Sequence, residues 1–476
     1  MNELIKKIND LSQNFEVYAV GGFSRDILLK RRYNDIDLAV NKDVLNYSKK
    51  IAYALKSKLI ALDDVNKTYR IILKNNIFAN IDISPFHGKT IEEDLQNRDF
   101  TFNAVAFSLK KIENFKKHII LINKNILKDL KSKTINTVSA EAFKADPLRM
   151  LRAFRFAAEL SFKLSPKTLR QTKQNAKLIS KASPEIIKNE FFRTLSAKNG
   201  ARFIKEMDKC GLLSEIFTEI KKMKKICKKH YYHPGGLFQH SFETMESAES
   251  ILNNLKKYFP ENYVDIQQHF GDNNVFSENI TRSGLLKFTA LFHDNAKPET
   301  AKFEKGKLHF FEHEEIGAEK IRKIMFSLRF SKKDIEFVML LIRHHMRPST
   351  LTKNNIVTKK AALKFFRDIG GNTPDLLILS MSDWRSYKKL KIFSQKTLKF
   401  QEKSVRELLK YYYELKKSTP IPKIIDGNII MKRFNLRPGP LIGKLLNFVL
   451  EAQQEGNISN REDALKMIFF ELKHIK

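Results

Sequence analysis

The chain has 476 residues, and roughly two to four domains are expected from a length beyond one simple core. Lysine and arginine number 87 against 53 acids, a net charge of +34, which favours a polyanionic partner, with anionic membrane the other candidate. Part of that surplus is compositional drift, because Lys, Asn, Ile and Phe are abundant throughout.

The two cysteines, Cys210 and Cys227, stand in no metal-like spacing, so a disulfide framework is not expected and a reducing cytoplasmic setting is. Met1 to Phe15 mixes Glu3 and Asp10 with Lys6 and Lys7 and lacks the apolar core of a signal peptide. No apolar run approaches the length of about 18 residues that spans a bilayer, so no membrane partner is expected.

Residues 1–140 read as mixed α/β. A strand is expected over Phe15–Val20, followed by Gly21-Gly22 and a helix over Ser24–Lys30. Further strands are expected over Asp35–Val40, Lys58–Leu62, Tyr69–Leu73 and Phe78–Ile83. Lys110 to Lys133 reads as an edge hairpin or exposed excursion. Beyond Asp146 the pattern is almost entirely helical, with Leu148, Leu151, Phe154 and Ala158 forming one apolar stripe. Boundaries are expected at the lysine-rich 221–229 and at 388–424, before Pro420.

Two constellations in the first part carry chemistry. Gly21-Gly22-Phe23-Ser24-Arg25-Asp26 lets the backbone approach a ligand closely, and a helix start there offers N–H groups to phosphate while Arg25 adds a fork of donors. Asp35-Ile36-Asp37 follows. Side chains two apart on a strand share a face, so two carboxylates meet and call for a divalent cation, for which Mg²⁺ with triphosphate oxygens is suited. Two such ions could activate a 3′-hydroxyl and neutralise pyrophosphate.

Further on, Arg98-Asp99 and Asn103 sit near a strand–helix junction, where Arg98 suits phosphate and Asn103 a sugar hydroxyl. Asp146-Pro147 reads as a helix cap with proline at the first helical position. Arg149, Arg152 and Arg155 then follow at steps of three, each trailing the apolar stripe by about 100°. Three arginines without an acid suggest an anion or base edges nearby.

These blocks, in this order, resemble the bacterial-type (class II) tRNA nucleotidyltransferase and poly(A) polymerase family over roughly residues 15–200. The resemblance implies an α+β architecture: a polymerase-β-like nucleotidyltransferase head, an all-α neck, an HD-type helical domain and a helical tail. The corresponding spans are 1–140, 141–225 (neck, binding RNA and nucleotide), 226–390 and 391–476 (tail, binding tRNA). It implies Gly21, Gly22, Arg25 and Asp26 at the nucleotide phosphates, Asp35 and Asp37 as the catalytic metal carboxylates, and Arg98, Asp99 and Asn103 in sugar and phosphate handling. Asp146 and Arg149 would hydrogen-bond the incoming base, flanked by Arg152 and Arg155. Asp82 is a candidate third carboxylate. Ala145 stands where many members have Glu, and the segment between Asp37 and Arg98 lacks the flexible-loop pattern associated with the final A.

Residues 230–385 hold nine of the twelve histidines: 230, 233, 240, 269, 293, 309, 313, 344 and 345. Neutral imidazole with carboxylate suits a divalent transition metal. His293-Asp294 after an apolar run, with separate His and Asp elsewhere, resembles the HD phosphohydrolase superfamily. The match implies His240, His293, Asp294 and Asp383 as ligands of a transition metal or Mg²⁺, His313, His344 and His345 near a possible second metal, and Lys297 as a phosphate contact. Asn295-Ala296 replaces the usual Ile-Gly. In the tail, Arg437 and Lys444 near Gly439 and Gly443 suit backbone phosphate.

The resulting expectation is a template-independent enzyme that adds CMP and AMP from CTP and ATP to the tRNA 3′ end. CC-adding, A-adding and poly(A) polymerase members share the motifs. A reading of another class is an HD-type phosphohydrolase with an RNA-binding head. The sequence leaves the oligomeric state open.

Overall fold

The computed structural model describes residues 2–64, 67–73, 79–111, 119–122, 125–225, 235–272, 275–352, 357–390, 393–418, 422 and 424–475. His230, His233, residues 226–229 of the lysine-rich run with Cys227 among them, Phe78, Lys116–Lys117 and Pro420 lie outside the described residues. The chain divides into two compact units, Met1–Thr218 and Glu219–Lys476.

The first unit is built on a seven-stranded sheet in the order β3-β4-β5-β2-β1-β6-β7. Its strands are β1 (Val17–Val20), β2 (Asp35–Val40), β3 (Lys58–Asp63), β4 (Thr68–Ile72), β5 (Asn80–Pro85), β6 (Val105–Ser108) and β7 (Ile119–Leu121). The helices of this part are α1 (Asn2–Asp10), α2 (Gly21–Leu28), α3 (Val44–Ala54), α4 (Ile91–Gln96) and α5 (Asn125–Lys131). Strand β2 alternates as its sequence demands: Ile36 and Leu38 are fully buried, while Asp35 and Asp37 take the opposite face. It pairs in parallel with β5, placing Asp37 opposite Asp82, and β5 pairs antiparallel with β4, placing Asp82 opposite Arg70.

A short pair of strands, β8 (Thr134–Ile135) and β9 (Lys163–Leu164), brackets the start of the helical neck. The neck comprises α6 (Ala142–Ala145), α7 (Leu148–Leu160), α8 (Pro166–Asn175), α9 (Pro184–Ser196), α10 (Gly200–Lys209) and α11 (Leu212–Ile216). Helix α7 packs onto the head through Phe156, whose ring meets Phe100 at 5.9 Å and Phe102 at 5.3 Å edge-on. The apolar stripe expected along α7 buries Leu151, Phe154 and Ala158.

Among the described residues, the second unit is helical apart from one hairpin. After α12 (Thr218–Lys225), it contains α13 (Leu237–Asn253), α14 (Leu255–Tyr258), α15 (Tyr263–Gly271), α16 (Arg282–Phe292) and α17 (Lys297–Thr300). Strands β10 (Ala301–Glu304) and β11 (Lys307–Phe310) follow. Then come α18 (His313–Ser327), α19 (Lys332–His344), α20 (Arg347–Leu351), α21 (Lys359–Ile369), α22 (Thr373–Ser386) and α23 (Gln395–Lys417). Helices α24 (Gly427–Phe434), α25 (Pro440–Glu455) and α26 (Arg461–Ile475) close the chain around their own cluster of Ile430, Leu445, Ala464 and Ile468.

Two expectations from the sequence change here. The β10–β11 hairpin adds two short strands to a second half expected to be almost entirely helical. The break expected from residue 388 is occupied over most of its length by α23, a helix of 23 residues. Among the described residues, no helix is long and apolar enough to cross a membrane.

Candidate active site and metal cluster

In the head, β1 runs into α2 without a loop. The turn is possible because Gly21 adopts φ +60°, a left-handed conformation that side chains rarely accept. A Cβ there would lie 3.1 Å from Arg98 Nη1, and one on Gly22 would lie 3.2 Å from Asp37 Oδ2. Both glycines therefore let the Asp37 carboxylate and the helix N-terminus approach each other, and the Phe23 amide donates to Asp37 Oδ2 at 3.1 Å.

Burial pushes the Asp37 carboxyl above its ordinary range; Asp82 and Asp35 push the same way, against the Phe23 amide and Arg98. A carboxylate crowded by two others suits a divalent cation, so the donor set fits a hard metal ion. Asp35 accepts from Asn80 Nδ2 at 2.9 Å. Asp82, the candidate third carboxylate, is held bidentately by Arg70, with both bonds at 2.7 Å.

Around this floor, Arg25 donates to Asp26 at 2.8 and 2.9 Å and to Asn103 Oδ1 at 3.2 Å. Asn103 in turn donates to the buried Asp99 at 3.1 Å. Arg98 is gripped by Asp94, which is fully buried and also accepts from the His87 amide. Asp94 was not singled out in the sequence; its spacing four residues before Arg98 was the available signal.

Asp146 reaches over from the start of α7, accepting from the Leu148 amide at 2.9 Å, with Arg149 Nε 3.8 Å from its other oxygen. Arg149 also donates to the Asn97 carbonyl at 2.8 Å. A cavity of about 580 Å³ is lined by Gly21, Gly22, Asp37, Arg98, Asp146 and Arg149, with Arg25, Asp82, Asp99, Asn103, Arg152 and Arg155 also bordering it. Asp26 and Asp35 do not line it.

The three arginines of α7 are not an acid-free face. Arg152 pairs with Asp99 at 2.8 Å, and buried Arg155 pairs with Glu190 at 2.6 Å and Glu159 at 2.9 Å. The acids arrive mostly from other elements, which spacing along one helix could not show. Arg155 braces α7 against α9.

The second unit gathers its cluster from five elements. His240 lies in the first turn of α13, His293-Asp294 directly follows α16, His313 opens α18, His345 ends α19 and Asp383 lies on α22. Asp294 is the hub. Its Oδ2 lies 3.3 Å from His293 Nε2 and 3.6 Å from His240 Nε2, and its Oδ1 lies 3.5 Å from His313 Nε2 and 3.6 Å from His345 Nε2. Asp383 Oδ1 lies 3.1 Å from His240 Nε2.

The opposite ring nitrogens are committed. Nδ1 of His293, His313 and His345 meets the carbonyls of Ala290, Phe310 and Ile342 at 2.9, 2.7 and 2.7 Å. Those bonds place an N–H on each Nδ1 and turn the Nε2 atoms inward, where His313, pushed down by burial, keeps a lone pair. The Nε2 atoms of His313 and His345 then face each other at 3.4 Å. Two facing ring nitrogens beside a carboxylate fit a cation between them. Two groups can each gather on one ion: His240, His293 and Asp383, and His293, Asp294 and His345.

Burial tends to raise the Asp294 carboxyl, but His293 and Lys297 hold it well below its ordinary range. Lys297 Nζ sits 2.6 Å from Asp294 Oδ2. His344 is half-buried beside Arg347 and Arg343 and is not brought into either group.

Known proteins resemble this chain over the regions that hold both clusters. A family model for the poly A polymerase head domain matches residues 17–136. A model for the probable RNA and SrmB-binding site of polymerase A matches 161–224, and the HD domain model matches 237–385. The chain is 28% identical to the CC-adding tRNA nucleotidyltransferase of Thermus thermophilus over 96% of this chain and 93% of that one. It is 35% identical to the CC-adding tRNA nucleotidyltransferase of Geobacter sulfurreducens over 43% of this chain and 46% of that one. In fold it is similar to a Thermotoga maritima CCA-adding enzyme solved with tRNA, with a TM-score of 0.65 at 21% identity over 99% and 98% of the two chains. The protein is a nucleotidyltransferase. Along the chain it carries the head and RNA-binding regions of the poly A polymerase models and then an HD domain, and it is similar to the tRNA nucleotidyltransferases over nearly its whole length.

Proposed function

We propose that this chain builds the 3′-terminal CCA of tRNA without a template, adding CMP from CTP and AMP from ATP. One arrangement carries the reading: Asp37, packed against Gly21-Gly22, lines the same cavity as Asp146 and Arg149. The triphosphate belongs at the N-terminus of α2, near Arg25 and Arg98, where free amides and guanidinium groups favour anions. Asp35 and Asp37 would hold Mg²⁺, which when bound neutralises the triphosphate and favours ionisation of the attacking hydroxyl.

The tRNA 3′-hydroxyl attacks the α-phosphorus, the bond to the bridging oxygen breaks, and pyrophosphate leaves. The hydroxyl proton is lost to solvent or carboxylate. Asp146 would accept from the exocyclic amino group that cytosine and adenine share, while Arg149 donates to a ring nitrogen or carbonyl. Their existing bonds to the Leu148 amide and the Asn97 carbonyl set their aim before a base arrives.

A narrower reading, addition of CC alone, is favoured by one observation. Strands β3 and β4 are joined by just residues 64–67, with Asp63 paired to Thr68, which leaves little chain for a loop that could reorganise the site for A. Sequencing the products on tRNA ending before CCA, before CA and before A, with each nucleotide alone and together, tests both. Addition of all three nucleotides supports CCA synthesis, a stop after two supports the narrower reading, and no extension overturns both.

The His/Asp cluster supports a second activity, metal-dependent phosphohydrolysis, for which Mg²⁺ or a transition metal would be held by His240, His293, Asp294 and Asp383. Release of phosphate from 2′,3′-cyclic or 2′-phosphate substrates should survive loss of Asp35 and Asp37. It should not survive Asp294→Ala; survival there would exclude the cluster as its source.

A further inference from the structure

The β10–β11 hairpin is closed by Lys305-Gly306, both at positive φ (49° and 72°), the geometry of a tight two-residue turn. Its register pairs Ala301 with Phe310 and Phe303 with Leu308, so these four side chains share one face. That face begins at the His/Asp cluster. Lys297 Nζ, bonded to Asp294 at 2.6 Å, lies 5.4 Å from the centre of the Phe310 ring. The Phe310 carbonyl meets His313 Nδ1 at 2.7 Å.

From there the face runs outward over half-buried Leu308 to Phe303, which is 75% exposed. Beyond the strand Phe311 is 55% exposed, with its ring stacked on His309 at 5.1 Å and 5°. Exposed Lys305 stands in the turn, while exposed Lys302 and Glu304 lie on the opposite face of the hairpin. A two-stranded hairpin has no core of its own to justify such rings in water. The Phe310 and Phe303 rings on one face, with Lys297 at its inner end and Lys305 in the turn at its tip, match a strand of bases joined by phosphates.

We propose that the hairpin is a base-stacking platform that delivers the phosphate-bearing end of a single-stranded RNA to the His/Asp cluster. The last base rests over Phe310 and Leu308, the preceding one over Phe303, and the terminal phosphate meets Lys297. The proposal rests on the reading of the cluster as a phosphate and metal site.

The test uses the full chain and two forms of one tetraribonucleotide, ending in a 3′-phosphate or a 3′-hydroxyl. Because Trp384 is the single native tryptophan, the emission difference between Phe303→Trp and wild type reports the hairpin alone and ignores RNA bound at the head. The expected result is a saturable change in that difference, at lower concentration for the phosphate form. By anisotropy, Phe303→Ala should weaken binding of the phosphate form about tenfold, within the range for loss of one stacked base, while Phe303→Tyr restores it. Addition of CMP to tRNA by Phe303→Ala should match wild type. An unresponsive Phe303→Trp, or unchanged affinity in Phe303→Ala, overturns the platform. A response without preference for the phosphate, unchanged in His293→Ala, instead overturns delivery to the cluster and with it the phosphate reading of that site.

Discussion

Asp99, buried beneath the cavity of the head, meets Arg152 of α7 at 2.8 Å, so the helix that carries Asp146 and Arg149 is tied electrostatically to the sheet that carries Asp37. Burial alone would raise the Asp99 carboxyl, but Arg152, Asn103 and the Phe100 amide hold it below its ordinary range. A carboxyl depressed by folding stabilises the protein above its unfolded value near 4, and that contribution is lost as pH falls through the depressed value. Arg152→Ala should therefore cost about 1–3 kcal/mol at neutral pH, and the deficit should shrink as pH falls through the depressed value, because the wild type loses this contribution there and the variant does not have it to lose. Thermal melts from pH 3 to 7 check this, and parallel acid limbs in the two proteins would refute it.

Asp82 lines the cavity but is occupied by Arg70 through two bonds. Asp82→Asn should keep the transfer rate within about tenfold of wild type, corresponding to less than about 1.4 kcal/mol in the barrier. A larger loss in single-turnover CMP addition would make Asp82 a metal ligand that exchanges Arg70 for the ion.

Arg149 already donates to the Asn97 carbonyl and lies beside Asp146. Arg149→Ala should lower discrimination between CTP and UTP by about tenfold to a hundredfold, the scale of one good paired contact to a base edge. Competition assays with the two nucleotides measure it. Unchanged discrimination would place base selection elsewhere in the cavity.

The facing Nε2 atoms of His313 and His345 predict that the second unit is held by metal. Chelation should lower its melting temperature, and readdition of Mn²⁺ or Zn²⁺ should restore it. His345→Ala should reduce bound metal measured by elemental analysis. A chain that melts identically with and without chelator would contradict the cluster's role.

Local chemistry was legible in the sequence where one element supplies it. Asp-x-Asp on β2, Gly-Gly at the start of α2 and His-Asp after α16 each follow from spacing along one segment. Partners from distant segments were not legible. Nothing near Arg155 in the chain announces Glu190, and nothing near Asp82 announces Arg70, because sheet register and helix packing make those pairs. Asp94 and the β10–β11 hairpin had signals, an Asp four residues before Arg and a Lys-Gly turn, but both are weak without their neighbours.

Nucleotide transfer as proposed depends most on Asp37. Transfer of labelled CMP from CTP to a tRNA lacking its CCA terminus, with Mg²⁺, compares wild type with Asp37→Asn directly. Wild type should extend the tRNA, and the variant should lose at least about a thousandfold in rate, about 4 kcal/mol of barrier. Extension at an undiminished rate by a folded Asp37→Asn protein would contradict that dependence.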